Sequence, residues 1–128
     1  MSRVIHFEVQ ASEPLALVDF YTALLGWSFS KWEGAEYWLI ETGSADQPGI
    51  NGGLLPRPSD PPLDMQAVNA FVCTAEVASL DETLAKGAEL GASAAYPKQP
   101  VPGVGWLAYI KDPDGNIVGL LQPDEGAK

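Results

Sequence analysis

The chain carries one histidine, His6, and it stands two residues before Glu8 in the run RVIHFEVQ. Residues i and i+2 share a face of a strand, so Val4, His6 and Glu8 fall on one side and Ile5, Phe7 and Val9 on the other. An imidazole beside a carboxylate can bind a metal, move a proton near neutral pH or hydrogen-bond a small molecule. The simpler role for His6 is that of a hydrogen-bonded strand residue, and for Glu8 that of solvated lining. A single histidine with no nucleophile motif nearby leaves no Ser-His-Asp or Cys-His arrangement, which disfavours hydrolase chemistry. Cys73, in the apolar run AFVCTA, reads as a buried structural thiol. PGVGW at 102–106 lacks the spacing of a phosphate loop and reads as a glycine-rich loop. DPDGN at 112–116 lacks the late glutamate of a calcium loop and reads as a hairpin turn.

The elements that must position these residues come in two series. RVIHFEVQ alternates as a strand. Ser12 and Pro14 then open a helix with Leu17, Phe20 and Leu24 at helical spacing, and Gly26 stops it. WSFSKW, AEYWLIET and GINGGLLPR follow as three strands, giving βαβββ over about 3–56. PRPSDPPLDMQ, with four prolines in eleven residues, makes a linker of about 57–66. The order then restarts over about 67–123. VNAFVCTAEV is a strand, Ser79 and Glu82 form a capping box, Gly91 ends the helix, and ASAAYPK, GWLAYIKD and NIVGLLQP are strands. Phe7 to Phe71 is 64 residues, Gly26 to Gly91 is 65, and GGLL to VGLL is 66. Three landmarks at offsets of 64 to 66 residues indicate an internal repeat.

At 128 residues the chain suits one domain with a core of its own. A net charge of −10 with seven Lys and Arg opposes nucleic-acid binding. MSRVIHFEVQ has no apolar leader, and no apolar run approaches the ~20 residues of a membrane span. These features set the expectation of a cytoplasmic protein without a membrane partner.

The segments VIHFEV, FYTALLGW, PGINGGLL, PGVGWLAYIKDPDGN and IVGLLQ resemble the vicinal oxygen chelate superfamily, which includes lactoylglutathione lyase, bleomycin-resistance proteins and extradiol dioxygenases. The resemblance covers nearly the whole chain and is nearest to the branch described as enzymes related to lactoylglutathione lyase. It implies an α+β fold in which two paired βαβββ modules form a curved, cup-shaped mixed sheet with helices outside. It also implies a divalent metal held by residues of the first and last strand of each module. Those positions here are His6, Gly53, about Ala70 and Gly119, of which only His6 can bind a metal. Glu8 shares parity with His6, and Asn51 with Gly53, so a rebuilt set of His6, Glu8 and Asn51 is the alternative.

Trp27, Trp32, Tyr37, Trp38, Trp106 and Tyr109 read mainly as core or interface packing. Trp32, Trp38 and Trp106, near predicted loop ends, are the candidates for stacking on a ligand. Glycine at 53 and 119 would widen the cup. The reading placed first is therefore a glyoxalase/bleomycin-resistance-like homodimer that binds a small organic molecule through His6, Glu8, Trp32, Trp38, Asn51, Gly53, Trp106 and Gly119, without a cofactor. The rivals are a metal-dependent lyase, isomerase or dioxygenase with catalytic His6 and Glu8, and a non-catalytic interaction module.

Overall fold

Alternation in HFEVQA produces β1 (His6–Ala11), and Pro14, with its fixed φ and missing N–H, opens α1 (Pro14–Leu25) at the first helical position. The N-cap is Glu13 rather than Ser12, and no side chain caps it. Gly26 ends the helix at φ 72°, where its N–H reaches the Thr22 carbonyl at 3.0 Å. Strands β2 (Ser28–Lys31), β3 (Trp38–Glu41) and β4 (Asn51–Pro56) complete the first module. The computed structural model describes residues 6–64, 66 and 72–128.

The second module follows the same order: β5 (Thr74–Glu76), α2 (Leu80–Glu89), β6 (Ser93–Val101), β7 (Gly105–Lys111) and β8 (Ile117–Pro123). The Ser79 hydroxyl accepts from the Glu82 N–H at 3.3 Å, as the capping box predicts, and the Gln122 side chain accepts from the Leu80 N–H at 2.8 Å. The helix closes on Leu90, and Gly91 just beyond it takes the left-handed conformation at φ 100°. Residues 67–71, which hold Ala70, Phe71 and the first part of the expected strand, lie outside the described residues.

The class is α+β with two βαβββ modules, and the ladders form two four-stranded mixed sheets in the orders β1-β4-β3-β2 and β5-β8-β7-β6. The chain divides into two compact units between Pro61 and Pro62, inside the proline-rich stretch. In the first unit Ile40 and Leu54 are buried, and Leu17, Phe20, Tyr21 and Leu24 of α1 are buried too. Trp27 stacks on Tyr21 at 5.2 Å and meets Phe7 at 5.5 Å, so the side of the sheet bearing Phe7, Ile40 and Leu54 is the core side. In the second unit Ala108, Ile110, Val118 and Leu120 play that part with Leu80.

DPDGN is the β7–β8 turn, and its first residue holds it. Asp112 is 3% exposed, and its carboxylate accepts from the N–H groups of Asp114 and Asn116 at 2.8 and 3.0 Å and from the Asn116 side chain at 3.1 Å. Gly115 supplies the left-handed residue at φ 85°. Asp112→Ala should cost about 2–3 kcal/mol by stranding charge-assisted donors. Chemical denaturation checks this, with an unchanged midpoint as the contrary result.

Candidate functional site

Strand pairing places His6 opposite Asn51 and Glu8 opposite Gly53, and Leu39 lies across Gly53 from the other side. Strand alternation puts all of these on the sheet face opposite Phe7 and Ile40. His6, Glu8, Leu39 and Asn51 are exposed there. The same parity brings in Tyr37, two residues before Leu39. Its hydroxyl donates to Glu8 Oε2 at 2.8 Å and lies 2.8 Å from His6 Nε2.

Gly53 makes this possible. A Cβ at position 53 would lie 1.7 Å from the Tyr37 hydroxyl and 2.0 Å from its ring carbon, so the phenol occupies the space a side chain there would need. The bare strand is therefore covered by an aromatic residue from its neighbour. Burial, the hydrogen bond to Glu8 and the Glu8 charge together push the Tyr37 hydroxyl up to about 12.

That shift has a consequence for stability. Between the ordinary value of 10.0 and about 12, the folded chain keeps the Tyr37 proton that the unfolded chain loses. The contribution is whole below pH 10.0 and is lost as pH rises toward about 12. Ultraviolet titration should show a tyrosine step toward about pH 12 that Tyr37→Phe removes. A late step of equal amplitude in the wild type and in Tyr37→Phe would oppose this assignment.

The other predicted residues are placed differently. Asn51 neighbours His6 in the ladder, but its side-chain oxygen accepts from the Thr42 N–H at 2.9 Å and faces the Thr42 hydroxyl at 3.3 Å. It lines a polar hollow of about 140 Å³ with Thr42, Ser44 and Gln47. Trp38 shares parity with buried Ile40, on the side away from His6, where the Lys31 ammonium lies 5.5 Å from its ring. Trp32, 52% exposed, lies over Gly34 beyond the end of β2. The structure thus joins His6, Glu8 and Gly53 and leaves Trp32, Trp38 and the Asn51 oxygen outside that group.

In the second unit Gly119 pairs with Thr74 on one side and Tyr109 on the other. A Cβ there would lie 2.4 Å from the Thr74 hydroxyl and 3.1 Å from the Tyr109 ring. The pair Thr74 and Gly119 is equivalent to the pair Glu8 and Gly53, each of its members lying 66 residues after its counterpart. Trp106 shares parity with buried Ala108 and Ile110, on the side away from Gly119, and its indole N–H donates to Asp124 at 3.0 Å. The PGVGW segment is the tight β6–β7 turn, with Gly103 bonded to the Ala127 carbonyl at 3.1 Å. Cys73 is half-buried rather than buried, and burial pushes its thiol up, away from nucleophilic use.

The donors do not fit the metal set that the resemblance implies. The last-strand positions are glycines, and the space over Gly53 is filled by a phenol that holds its proton and donates it to Glu8. Among the described residues no three His, Cys, Asp or Glu side chains gather. What the arrangement offers is hydrogen bonding: an exposed imidazole and an exposed carboxylate tied together by one tyrosine.

Tyr37 was legible as an aromatic residue but not as part of this group. The signal that finds it is a glycine in a strand interior facing an aromatic residue on the neighbouring strand.

The family profile of the Glyoxalase-like domain matches residues 6–121. The CFP32 proteins of Mycobacterium tuberculosis and Mycobacterium bovis, whose name proposes a glyoxylase, are 29% identical over 119 residues, which is 91% of this chain and 42% of theirs. The chain thus spans about two-fifths of the length of these curated relatives. Among solved structures, the fosfomycin resistance protein FosX of Listeria monocytogenes superposes with a TM-score of 0.71 at 15% identity, covering 97% of this chain and 95% of that one. A glyoxalase/bleomycin resistance protein/dioxygenase domain from Frankia sp. EAN1pec gives 0.69 at 19% identity, covering 97% and 99%. At these identities the structures share the fold. Together with the two βαβββ modules, the profile match over most of the chain shows that the protein belongs to the glyoxalase-like domain family of the vicinal oxygen chelate superfamily.

Proposed function

We propose that this protein binds a small organic molecule on the open face of the first-module sheet, without a metal. The observation that carries the reading is the Tyr37 hydroxyl, set over Gly53 and bonded to both His6 and Glu8. This replaces a metal ligand set by a hydrogen-bonding one. Leu39, 48% exposed beside Gly53, supplies apolar surface at the same place. A few polar groups beside an exposed leucine suit an organic ligand better than an ion. Homodimerisation and a cytoplasmic location belong to the proposal. Among the described residues, no helix is long and apolar enough to cross a membrane.

A thermal-shift screen of aromatic and apolar metabolites tests the reading. A ligand that stabilises the wild type, and whose affinity falls about tenfold or more in Tyr37→Phe, supports it. A flat screen, or hits indifferent to position 37, would count against it.

A further inference from the structure

Two distances on the open face determine where protons lie. A phenol has one proton and a carboxylate has none to give. The Tyr37 proton is donated to Glu8 Oε2 at 2.8 Å, so the phenol oxygen meets His6 Nε2, also at 2.8 Å, with a lone pair. A second acceptor at that distance would be repelled. His6 Nε2 must therefore carry hydrogen and donate.

We infer that the chain Glu8–Tyr37–His6 holds the neutral imidazole in its Nε2–H tautomer and leaves Nδ1 as the acceptor for a ligand O–H or N–H. Tyr37 is a positioning residue, acting on the ligand through His6. The second Glu8 oxygen is likewise an acceptor. Among the described residues, the side-chain hydrogen bonds of His6 and Glu8 on this face are those to Tyr37. Both side chains are exposed, so their remaining lone pairs are open to a ligand. His6 Nδ1 and the second Glu8 oxygen, two acceptors from neighbouring positions on one strand face, select a hydrogen-bond donor: a phenol, an alcohol or an amide N–H rather than an ether, ester or carboxylate. This ligand class rests on the binding function proposed above, whereas the tautomer assignment holds with or without it.

The single histidine makes the test direct. Uniformly ¹⁵N-labelled, chelator-treated, ligand-free protein is examined at roughly pH 9, above the ordinary imidazole value of about 6.5. The Nε2–H form should exceed the other tautomer by about tenfold or more in the wild type. Tyr37→Phe should relax it to a mixture. Glu8→Ala should free the phenol proton to turn toward Nε2 and move the population to Nδ1–H. An Nδ1–H imidazole in the wild type, or populations unchanged in both variants, overturns the relay.

4-Methylphenol is then added, with 4-methylanisole as its donor-free partner. The phenol should move the Nδ1 resonance and the anisole should not. Equal responses to both probes, or no response to either, overturn the donor-ligand class. Displacement of both ring nitrogens by stoichiometric Zn²⁺ would count against the metal-free reading while leaving the ligand-free tautomer result in place, so the two failures are distinguishable.

Discussion

Gly53→Ala is expected to dismantle the His6–Tyr37–Glu8 chain while leaving the sheet folded. The added methyl would sit 1.7 Å from the Tyr37 hydroxyl and 2.0 Å from the ring carbon that bears it. The phenol is the far end of a side chain and can swing away, so the backbone need not move. Its departure breaks two hydrogen bonds on an open face, at a stability cost of about 1–2 kcal/mol. The loss at the site is larger. Swung out into solvent and away from Glu8, Tyr37 should ionise near its ordinary value of 10.0 instead of about 12, and the affinity of any ligand that depends on Tyr37 should fall about tenfold or more. Ultraviolet titration and ligand binding on one sample read both effects. A late-ionising step of the same amplitude as in the wild type would show that the phenol is not seated over Gly53.

One residue earlier, Gly52→Ala should act on the fold itself. The added Cβ would lie 2.5 Å from the Phe7 carbonyl oxygen and 2.8 Å from two atoms of the Phe7 ring. Gly52 and Phe7 are partners in the parallel β1–β4 ladder, and the Phe7 ring is packed against Trp27. Neither neighbour can yield without opening the ladder that sets His6 and Glu8 beside β4. Overpacking of this kind costs about 3 kcal/mol. For a domain of this size that corresponds to a fall in Tm of roughly 10 °C. Calorimetry checks it, and a Tm shift within about 2 °C would mean that the two strands are less closely packed than their contacts indicate. The adjacent glycines of GGLL thus have separate duties: Gly52 admits the neighbouring backbone, and Gly53 admits Tyr37.

Much of the fold could be read from the sequence because its signals are local. Alternation marked β1, a capping box and a glycine stop framed α2, and DPDGN marked a turn held by the Asp112 carboxylate. The pairing of Glu8 with Gly53 was less accessible, since register depends on how β1 and β4 meet across more than forty residues of chain. Parity placed Glu8 with His6 and Asn51 with Gly53, and the resemblance set the two pairs on one face, where the β1–β4 ladder has them. Closeness to a loop end, which singles out the tryptophans, is blind to parity, and Trp38 and Trp106 share parity with the buried side of their sheets. Tyr37 carries no local signal of a site residue, because it precedes β3 and joins the others only through tertiary contact with a bare glycine.

The resemblance supplied the positions at which a metal would be bound, and the sequence showed glycine at two of them. What the structure adds is the occupant of the vacated space over Gly53, a phenol whose proton goes to Glu8. Elemental analysis of the protein as isolated, beside His6→Ala, tests this account most directly. The account predicts less than about a tenth of an equivalent of any transition metal per chain, in line with a donor set far short of the four ligands of an ordinary zinc site. One equivalent of nickel, zinc or iron per chain, lost in His6→Ala, would contradict it.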